Sequence, residues 1–113
     1  MVVLAAAGVG GVQTAEAEFE DCNSGNVCMW GNNDYVWKIG ERPKDGGVRS
    51  FDADSDRNDE MDSWANRTNL AAAAYSDAGG SGDCQTFHAA SRDNNVAPWN
   101  SDEVSSWRTD QSC

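Results

Sequence analysis

The chain lacks the large aliphatic side chains from which most small domains build a core. Leu, Ile, Val and Phe total 15 of 113 residues, and four of the nine Val lie within the first twelve positions. Such a low content, together with a net charge of −11, is typical of disordered chains. Five Trp, two Tyr and four Cys indicate the opposite, because aromatic rings bury large areas and paired cysteines stabilise a small core. The sequence therefore predicts one compact domain with an aromatic, disulfide-stabilised core.

The four cysteines favour disulfide bonds over a metal site. A zinc site would need closely spaced ligands, whereas no C-x2-C occurs and His88 is the only histidine. Four cysteines allow three pairings. We favour Cys22–Cys28, which spans a short Asn-Ser-Gly-Asn turn, and Cys84–Cys113, which would tie the C-terminus to the body of the domain.

The first seventeen residues read as a leader rather than as part of the fold. Residues 2–12 are small, apolar and uncharged, and residues 15–17 (Ala-Glu-Ala) fit the pattern of a signal-peptidase site. The run is too short for a membrane-spanning helix, and its three glycines weaken the alternative of a buried N-terminal helix. We therefore expect residues 1–17 to be a signal-peptide remnant, residues 18–113 to form one domain, and the mature protein to be secreted into an extracellular, oxidising compartment.

The charge balance limits the partners. With 8 Lys and Arg against 19 Asp and Glu, the chain offers no basic face for phosphates, so nucleic acid and anionic membrane surfaces are excluded as partners. Catalysis is disfavoured on other grounds: the chain has no H-E-x-x-H, P-loop or G-x-S-x-G motif, and His88 stands beside Phe87 without a neighbouring nucleophile. A pair of carboxylates for glycoside hydrolysis stays open among the 19 acids, although nothing singles out a pair. The sequence predicts a monomeric binding protein that is not an enzyme.

Short aromatic segments bounded by Gly, Asn and Asp predict β-strands rather than helices. The predicted strands cover residues 27–30, 35–39, 48–51, 71–75 and 84–88. Because aliphatic side chains are scarce, we assign four tryptophans to the core and expect the fifth, Trp99, to be partly exposed; the four are Trp30, Trp37, Trp64 and Trp107. The N-x-T sequence at Asn66 and Thr68 is interpreted as a local turn rather than a glycosylation site.

The chain also contains an internal repeat. Residues 59–64 (D-E-M-D-S-W) align with residues 102–107 (D-E-V-S-S-W) at an offset of 43, and the aromatic turns upstream align at an offset of 45. Two copies are too few for a solenoid or propeller. They suit two four-stranded Greek keys packed as an all-β sandwich, with halves at about residues 22–68 and 69–113.

These paired halves resemble the βγ-crystallin domain, in which each half carries an aromatic–glycine hairpin and an acidic loop of the form N/D-N/D-x-x-S/T-S. Residues 58–63 (N-D-E-M-D-S) and 101–106 (S-D-E-V-S-S) follow that form with one departure each, at Asp62 and at Ser101. The first hairpin departs as well, because Trp37 stands where the family carries glycine. The resemblance implies a βγ-crystallin-like double Greek-key β-sandwich.

Two further segments narrow the resemblance to peptidase inhibitor family I36, small extracellular proteins of actinobacteria with a crystallin-like fold. They are C-x-S-G-x-V-C-x-W at residues 22–30 and D-S-W-A-N-R-T at residues 62–68. This resemblance implies a secreted inhibitor whose partner is an extracellular protease, with metalloproteinases as the expected targets, acting through a rigid substrate-like loop. Two loops, residues 76–85 and 89–100, are open as candidates, and the side chains expected to bind the partner are Asp83, Gln85 and Trp99.

The crystallin-like fold further implies calcium, because each site in that fold draws on both acidic loops. Ca²⁺ prefers six to eight oxygen ligands, which these loops can supply. The candidate ligands are Asn58, Asp59, Glu60, Asp62, Ser101, Asp102, Glu103 and Ser105. We expect no required cofactor and weak Ca²⁺ binding, since Ser101 offers less charge than Asp or Asn; plain solvated turns are the alternative. The alternative function is accordingly a calcium-binding extracellular βγ-crystallin with a structural or stress role.

Overall fold

The computed structural model describes residues 15–52, 55–96 and 103–113; residues 1–14 of the predicted leader lie outside this range. The elements in chain order are α1 (Ala15–Glu20), β1 (Asn26–Asn32), a 3-10 turn (Asn33–Tyr35), β2 (Val36–Pro43), β3 (Arg49–Ser50), β4 (Ser63–Asn66), β5 (Ala72–Asp77), β6 (Ser81–Phe87), β7 (Ser91–Asp93) and β8 (Ser106–Arg108). In these ranges, no helix has the length and apolar character to cross a membrane.

The strands form two four-stranded sheets in which every pairing is antiparallel. The first sheet has the order β2-β1-β4-β7 and the second has the order β3-β8-β5-β6. Each sheet takes one strand from the opposite half: β3 pairs with β8, and β7 pairs with β4. This exchange packs the two Greek keys into one sandwich, so the predicted fold class is confirmed.

The repeated Ser-Trp pair has a structural reason in each half, because its serine fastens the hairpin of that half. Ser63 Oγ accepts a hydrogen bond from the Tyr35 N–H (3.1 Å) and donates to the Asn32 carbonyl (2.7 Å). Ser106 Oγ makes the equivalent contacts in the second half. It accepts from the Gly80 N–H (2.9 Å) and donates to the Asp77 carbonyl (2.6 Å), and both partners lie 45 residues after those of Ser63. Both serines are fully buried, so each satisfies backbone groups that water cannot reach.

Aromatic rings fill the interior, as the composition requires. In the main core, Trp64 stacks on Phe87 with ring centroids 4.2 Å apart, and Trp107 lies parallel to Phe51 at 6.4 Å. Trp30 belongs to a second, smaller cluster built around the Cys22–Cys28 bridge. The core assignments of Trp30, Trp64 and Trp107 are therefore confirmed.

The core assignment of Trp37 is wrong, because this side chain is 39% exposed. Its backbone has φ +66°, a left-handed conformation that costs most residues about 1–2 kcal/mol. The indole covers Gly31 so closely that a Cβ there would lie 2.2 Å from Trp37 Cε3. At the equivalent position of the second half, Gly82 has φ +83°. Trp37 thus keeps the backbone conformation of the glycine and turns its side chain outward onto the hairpin.

Replacing Trp37 should separate this backbone strain from the contact with Gly31. We expect Trp37→Gly to be more stable than Trp37→Ala by about 1 kcal/mol, because both variants lose the indole but only Ala retains a strained Cβ. Urea unfolding of the two variants measures the difference. Glycine is normally less stable than alanine in a strand, so a lower stability for Trp37→Gly would contradict the strained conformation.

Asn66 is a structural residue and not a glycosylation acceptor. Its side chain is 1% exposed. The amide nitrogen donates to the Leu70 and Phe87 carbonyls (2.9 and 2.8 Å), and its oxygen accepts from the N–H and hydroxyl of Thr68 (3.0 and 2.7 Å). The interpretation of this N-x-T sequence as a local turn is confirmed.

The two predicted disulfides are also confirmed, as Cys22–Cys28 and Cys84–Cys113. The first closes a turn that Glu41 of β2 holds in place. Glu41 Oε2 accepts from the Asn23 N–H (3.0 Å) and from the amide groups of Asn23 and Asn26 (2.9 and 2.7 Å). Lys38 Nζ donates to Oε1 at 2.5 Å. Burial opposes ionisation of Glu41, but these hydrogen bonds outweigh it and lower its pKa to about 2.

This low pKa predicts an acid-sensitive contribution to stability. Because the pKa of Glu41 is lower in the folded state, its contribution is complete above about pH 4.5 and is lost as the pH falls towards 2. The contribution amounts to at most about 3 kcal/mol. Urea unfolding of the wild type and of Glu41→Gln, at pH 6 and pH 3, measures it. We expect the difference between the two proteins to be clearly smaller at pH 3 than at pH 6, because part of the contribution is lost between these values; a pH-independent difference would contradict the assignment.

Candidate functional site

The β5–β6 hairpin is an exposed segment of the second sheet that is held at both ends. At its tip, the Gly79 N–H donates to Ser50 Oγ (2.8 Å) and the Gly80 N–H donates to Ser106 Oγ (2.9 Å). Gly79, Gly80 and Gly82 all have positive φ. A Cβ at Gly82 would lie 2.3 Å from Ser76 Oγ, so glycine is required there. The tip is therefore tied to β3 and β8. Its backbone has a conformation in which residues other than glycine would be strained.

Strand β6 leaves this tip along the edge of the sheet. Residues 81–84 are all exposed, and β6 pairs only with β5 within the described chain. Asp83 is exposed, with its N–H bonded to Ser76 Oγ (2.8 Å), while Gln85 is half-buried. The Cys84–Cys113 disulfide ties the strand to the C-terminus, and the Cys113 N–H donates to Thr86 Oγ1 (3.2 Å). The result is an extended, accessible strand with little freedom to move.

The second candidate loop begins with β7 and is also held by its backbone. The Ala90 N–H donates to the Thr68 carbonyl (3.0 Å), and the Val96 N–H donates to the Asp62 carbonyl (3.0 Å). Val96 is buried in the main core. Residues 97–102 lie outside the described residues, and with them the predicted partner-binding Trp99 and the predicted ligands Ser101 and Asp102.

The structure brings the two acidic loops together at one point. Ser105 Oγ donates to Asp59 Oδ1 (2.7 Å), and the Asp59 N–H donates to the Val104 carbonyl (3.0 Å). Asn58 is half-buried, with its amide 3.4 Å from Asp59 Oδ2, and Asp59 has φ +61°. The remaining described ligand candidates are the half-buried Glu60 and Asp62 and the exposed Glu103.

The described ranges contain one group of three side chains close enough to share a metal, and it lies outside these loops. The group is Cys22, Cys28 and Glu41. Both sulfurs are in a disulfide bond and the carboxylate is fully engaged by Lys38, Asn23 and Asn26, so this group is structural. Within the loops, Asp59 and Ser105 are predicted calcium ligands that a side-chain hydrogen bond joins from one loop to the other.

Comparison with known proteins assigns the family. The model of peptidase inhibitor family I36 matches residues 15–87, about two thirds of the chain. The chain belongs to this family. The match includes both disulfide-bearing hairpins, although Cys113 lies beyond it. No protein with a curated description matches this I36 family member.

Solved structures, among them βγ-crystallins, share the fold of this I36 domain at low sequence identity. One comes from work on the evolution of the eye lens βγ-crystallin domain fold (TM-score 0.66, 20% identity, covering 76% of this chain and 86% of that one). Another is a βγ-crystallin from Ciona intestinalis, with a TM-score of 0.59 and 19% identity, covering 75% of this chain and 99% of that one. A third is the N-terminal domain of Protein S, with a TM-score of 0.57 and 22% identity, covering 74% of this chain and 92% of that one. These likenesses establish the fold of the I36 domain.

Sequence reasoning missed the residues that hold the candidate hairpin of this I36 protein. Ser50 was read as part of a strand and Ser106 as part of an acidic loop, whereas their hydroxyls accept the two N–H groups at the hairpin tip. The alignment of the Ser-Trp pairs was the available signal for Ser106. Ser50 carried no signal, because only the exchange of β3 into the second sheet places it beside residue 79. His88 is exposed and directly follows β6, rather than lying on the strand as predicted.

Proposed function

We propose that this protein is a secreted inhibitor of extracellular peptidases, with metalloproteinases as its targets, and that the β5–β6 hairpin is the segment it presents to them. Membership of the I36 family supports inhibition by binding rather than a catalytic role. The observation that carries the choice of hairpin is the exposed edge of residues 81–84, tied at the tip by Ser50 and Ser106 and along the strand by the Cys84–Cys113 bond.

The geometry suits recognition by a peptidase because peptidases bind their substrates as extended strands. An exposed sheet edge offers unpaired backbone groups in that form. A strand that is already ordered loses little conformational entropy on binding, so more of the contact energy appears as affinity. If a peptidase cleaved this strand, the same anchors at the tip and at the disulfide would slow the separation of the two cut ends. Residues 89–100, the other loop left open by the sequence, lack an equivalent disulfide in the part that is described.

The test is inhibition of a thermolysin-like metalloprotease by the purified protein, oxidised and reduced, with subtilisin and trypsin for comparison. We expect stoichiometric inhibition that is lost on reduction. Asp83→Lys should weaken inhibition, since it changes an exposed side chain of the hairpin. Asp21→Lys is the matched control, because Asp21 is exposed next to Cys22 and far along the chain from β6. A folded, uncleaved protein that inhibits none of these enzymes contradicts the proposal, and equal effects of the two variants contradict the assignment of the hairpin.

A second candidate function is supported by the contact between Asp59 and Ser105, which joins the two acidic loops. We propose as this alternative that the loops bind Ca²⁺ weakly and that the ion stabilises the fold outside the cell. Thermal unfolding with Ca²⁺ and with EDTA tests it. A rise in Tm with Ca²⁺ that Asp59→Asn abolishes supports a calcium-linked structural role, and identical melting in both conditions contradicts it. The outcome is independent of the inhibition assay.

A further inference from the structure

Three of the eight basic residues of this acidic protein line a single cleft. The cleft has a volume of about 260 Å³ and lies where β2 of the first sheet faces β3 and β8 of the second. Arg42, Arg49 and Arg57 contribute to its lining, and Phe51 and Trp107 supply its apolar part. The net charge of −11 makes such a concentration of positive charge a local property of this cleft rather than of the surface in general.

Arg42 is a buried cation without a carboxylate partner. It is 8% exposed, its two terminal nitrogens donate to the carbonyls of Trp107 (3.0 Å) and Gly47 (2.6 Å), and its guanidinium lies 5.0 Å from the centroid of the Trp107 ring. Burial lowers its pKa and the charge of Arg49 lowers it further, whereas the charge of Asp110 raises it. Within the described chain, no carboxylate forms an ion pair with it. A buried charge whose hydrogen bonds go to neutral carbonyls favours the approach of an anion.

Arg49 and Arg57 are exposed and available for such an anion. Neither guanidinium forms a hydrogen bond or an ion pair with any residue that the structure describes. Among the described residues, Glu41 is the one acidic side chain that lines the cleft, and its two oxygens are already occupied by Lys38, Asn23 and Asn26. Its described lining therefore carries more positive than negative side chains.

The rest of the described lining is apolar or neutral and includes Ile39, Phe51 and the buried Trp107. The Phe51 and Trp107 rings are stacked with an angle of 4° between their planes. Paired nitrogens of a guanidinium match the two oxygens of a carboxylate in one plane. The combination of two free guanidinium groups with an apolar lining suits a carboxylate carried on a short carbon chain.

We propose that this cleft binds carboxylate groups, either of a small free carboxylate or of an acidic side chain on a protein partner. Only the second source rests on the proposed inhibitory function, because a bound peptidase would then supply the side chain. Arg49 and Arg57 bind the carboxylate at the mouth of the cleft. Arg42 contributes its charge from below while it continues to hold the Trp107 and Gly47 carbonyls.

The experiment is an NMR titration of the oxidised full chain, followed through the Arg Nε–H and Trp indole N–H signals at constant ionic strength. The probes are citrate, a penta-aspartate peptide and inorganic phosphate. The variant is Arg49→Gln/Arg57→Gln, which removes both charges, keeps polar side chains and leaves the buried Arg42 in place. Lys44→Gln is the matched control, because Lys44 is an exposed cation that contacts Asn69 and does not line the cleft. No peptidase is needed, so a failure here is distinct from a failure of the inhibition assay.

We expect saturable shifts with a Kd of about 1 mM for a carboxylate probe, weakened about tenfold or more in the double variant and unchanged in the control. Tighter binding of penta-aspartate than of citrate assigns the cleft to a protein partner, and the reverse assigns it to a small carboxylate; either supports the proposal. Shifts that do not saturate, that persist in the double variant, or that are tightest for phosphate overturn it.

Discussion

Replacing both Cys84 and Cys113 with serine is expected to lower the free energy of unfolding by about 3.5 kcal/mol. The cysteines are 29 residues apart, and a cross-link that closes a loop of this length removes that much conformational entropy from the unfolded chain. The loss is a large share of the 5–15 kcal/mol that holds a typical domain folded. Urea unfolding of the variant and of the oxidised wild type measures it, and a difference below about 1 kcal/mol would contradict the expectation.

The position of this bond predicts a local effect in addition to the global one. Cys84 lies on the edge strand β6, whereas the other bridge lies in the small cluster of the first sheet. Hydrogen exchange should therefore accelerate most at the amides of β6 and little at those of β1. If β6 is the strand presented to a peptidase, the same variant should be cleaved by the enzyme that the wild type inhibits. Uniform acceleration across both sheets would indicate that the bond stabilises the whole fold without ordering the hairpin.

Truncation of Trp64 is expected to have an effect of similar or greater size. Trp64 is 5% exposed and its ring stacks on Phe87 at 4.2 Å in the main core. Removing a buried tryptophan side chain costs about 3–5 kcal/mol, since the transfer energy is lost and a cavity is left. With so few aliphatic residues in the chain, little else can move in to fill that cavity. The measurement is the urea midpoint of Trp64→Ala against the wild type.

Two variants keep this prediction informative. Trp64→Phe retains a ring against Phe87 and should lose clearly less stability, so it serves if the alanine variant does not fold. Trp37→Ala removes the same side chain from a position that is 39% exposed, and it should cost less than Trp64→Ala. Equal losses for the two alanine variants would show that burial is not what distinguishes these tryptophans.

The strands that the sequence predicted are those with hydrophobic or aromatic character. The predicted segments at residues 27–30, 35–39 and 71–75 overlap β1, β2 and β5. The sequence did not predict β4, β7 and β8, which read S-W-A-N, S-R-D and S-W-R. Segments of three or four residues with polar side chains have no periodicity to detect. They are strands because neighbours supply their hydrogen bonds: β4 pairs with β1, and β8 pairs with β5.

Trp37 shows a different limit of sequence reasoning. In an aliphatic-poor chain a tryptophan two residues after Tyr35 is a reasonable core residue, since alternation would place both on one face. Alternation fails there because Asp34, Tyr35 and Trp37 all have positive φ. The departure from the family glycine was visible in the sequence, but its consequence, an outward indole lying over Gly31, depends on the backbone conformation.

The sequence by itself determined the fold class and the family, because both depend on residue types at fixed spacings along the chain, whereas it allowed three cysteine pairings and the structure decided among them. The Ser-Trp repeat at an offset of 43 reflects one buried contact that both halves must make. Tertiary structure alone decided which residues come together at the hairpin tip and in the arginine-lined cleft. The exchange of β3 between the sheets places Ser50 at the hairpin tip and brings Arg49 into one cleft with Arg42. Contacts between segments distant in the chain arise from packing two sheets against each other, and local composition carries no record of them.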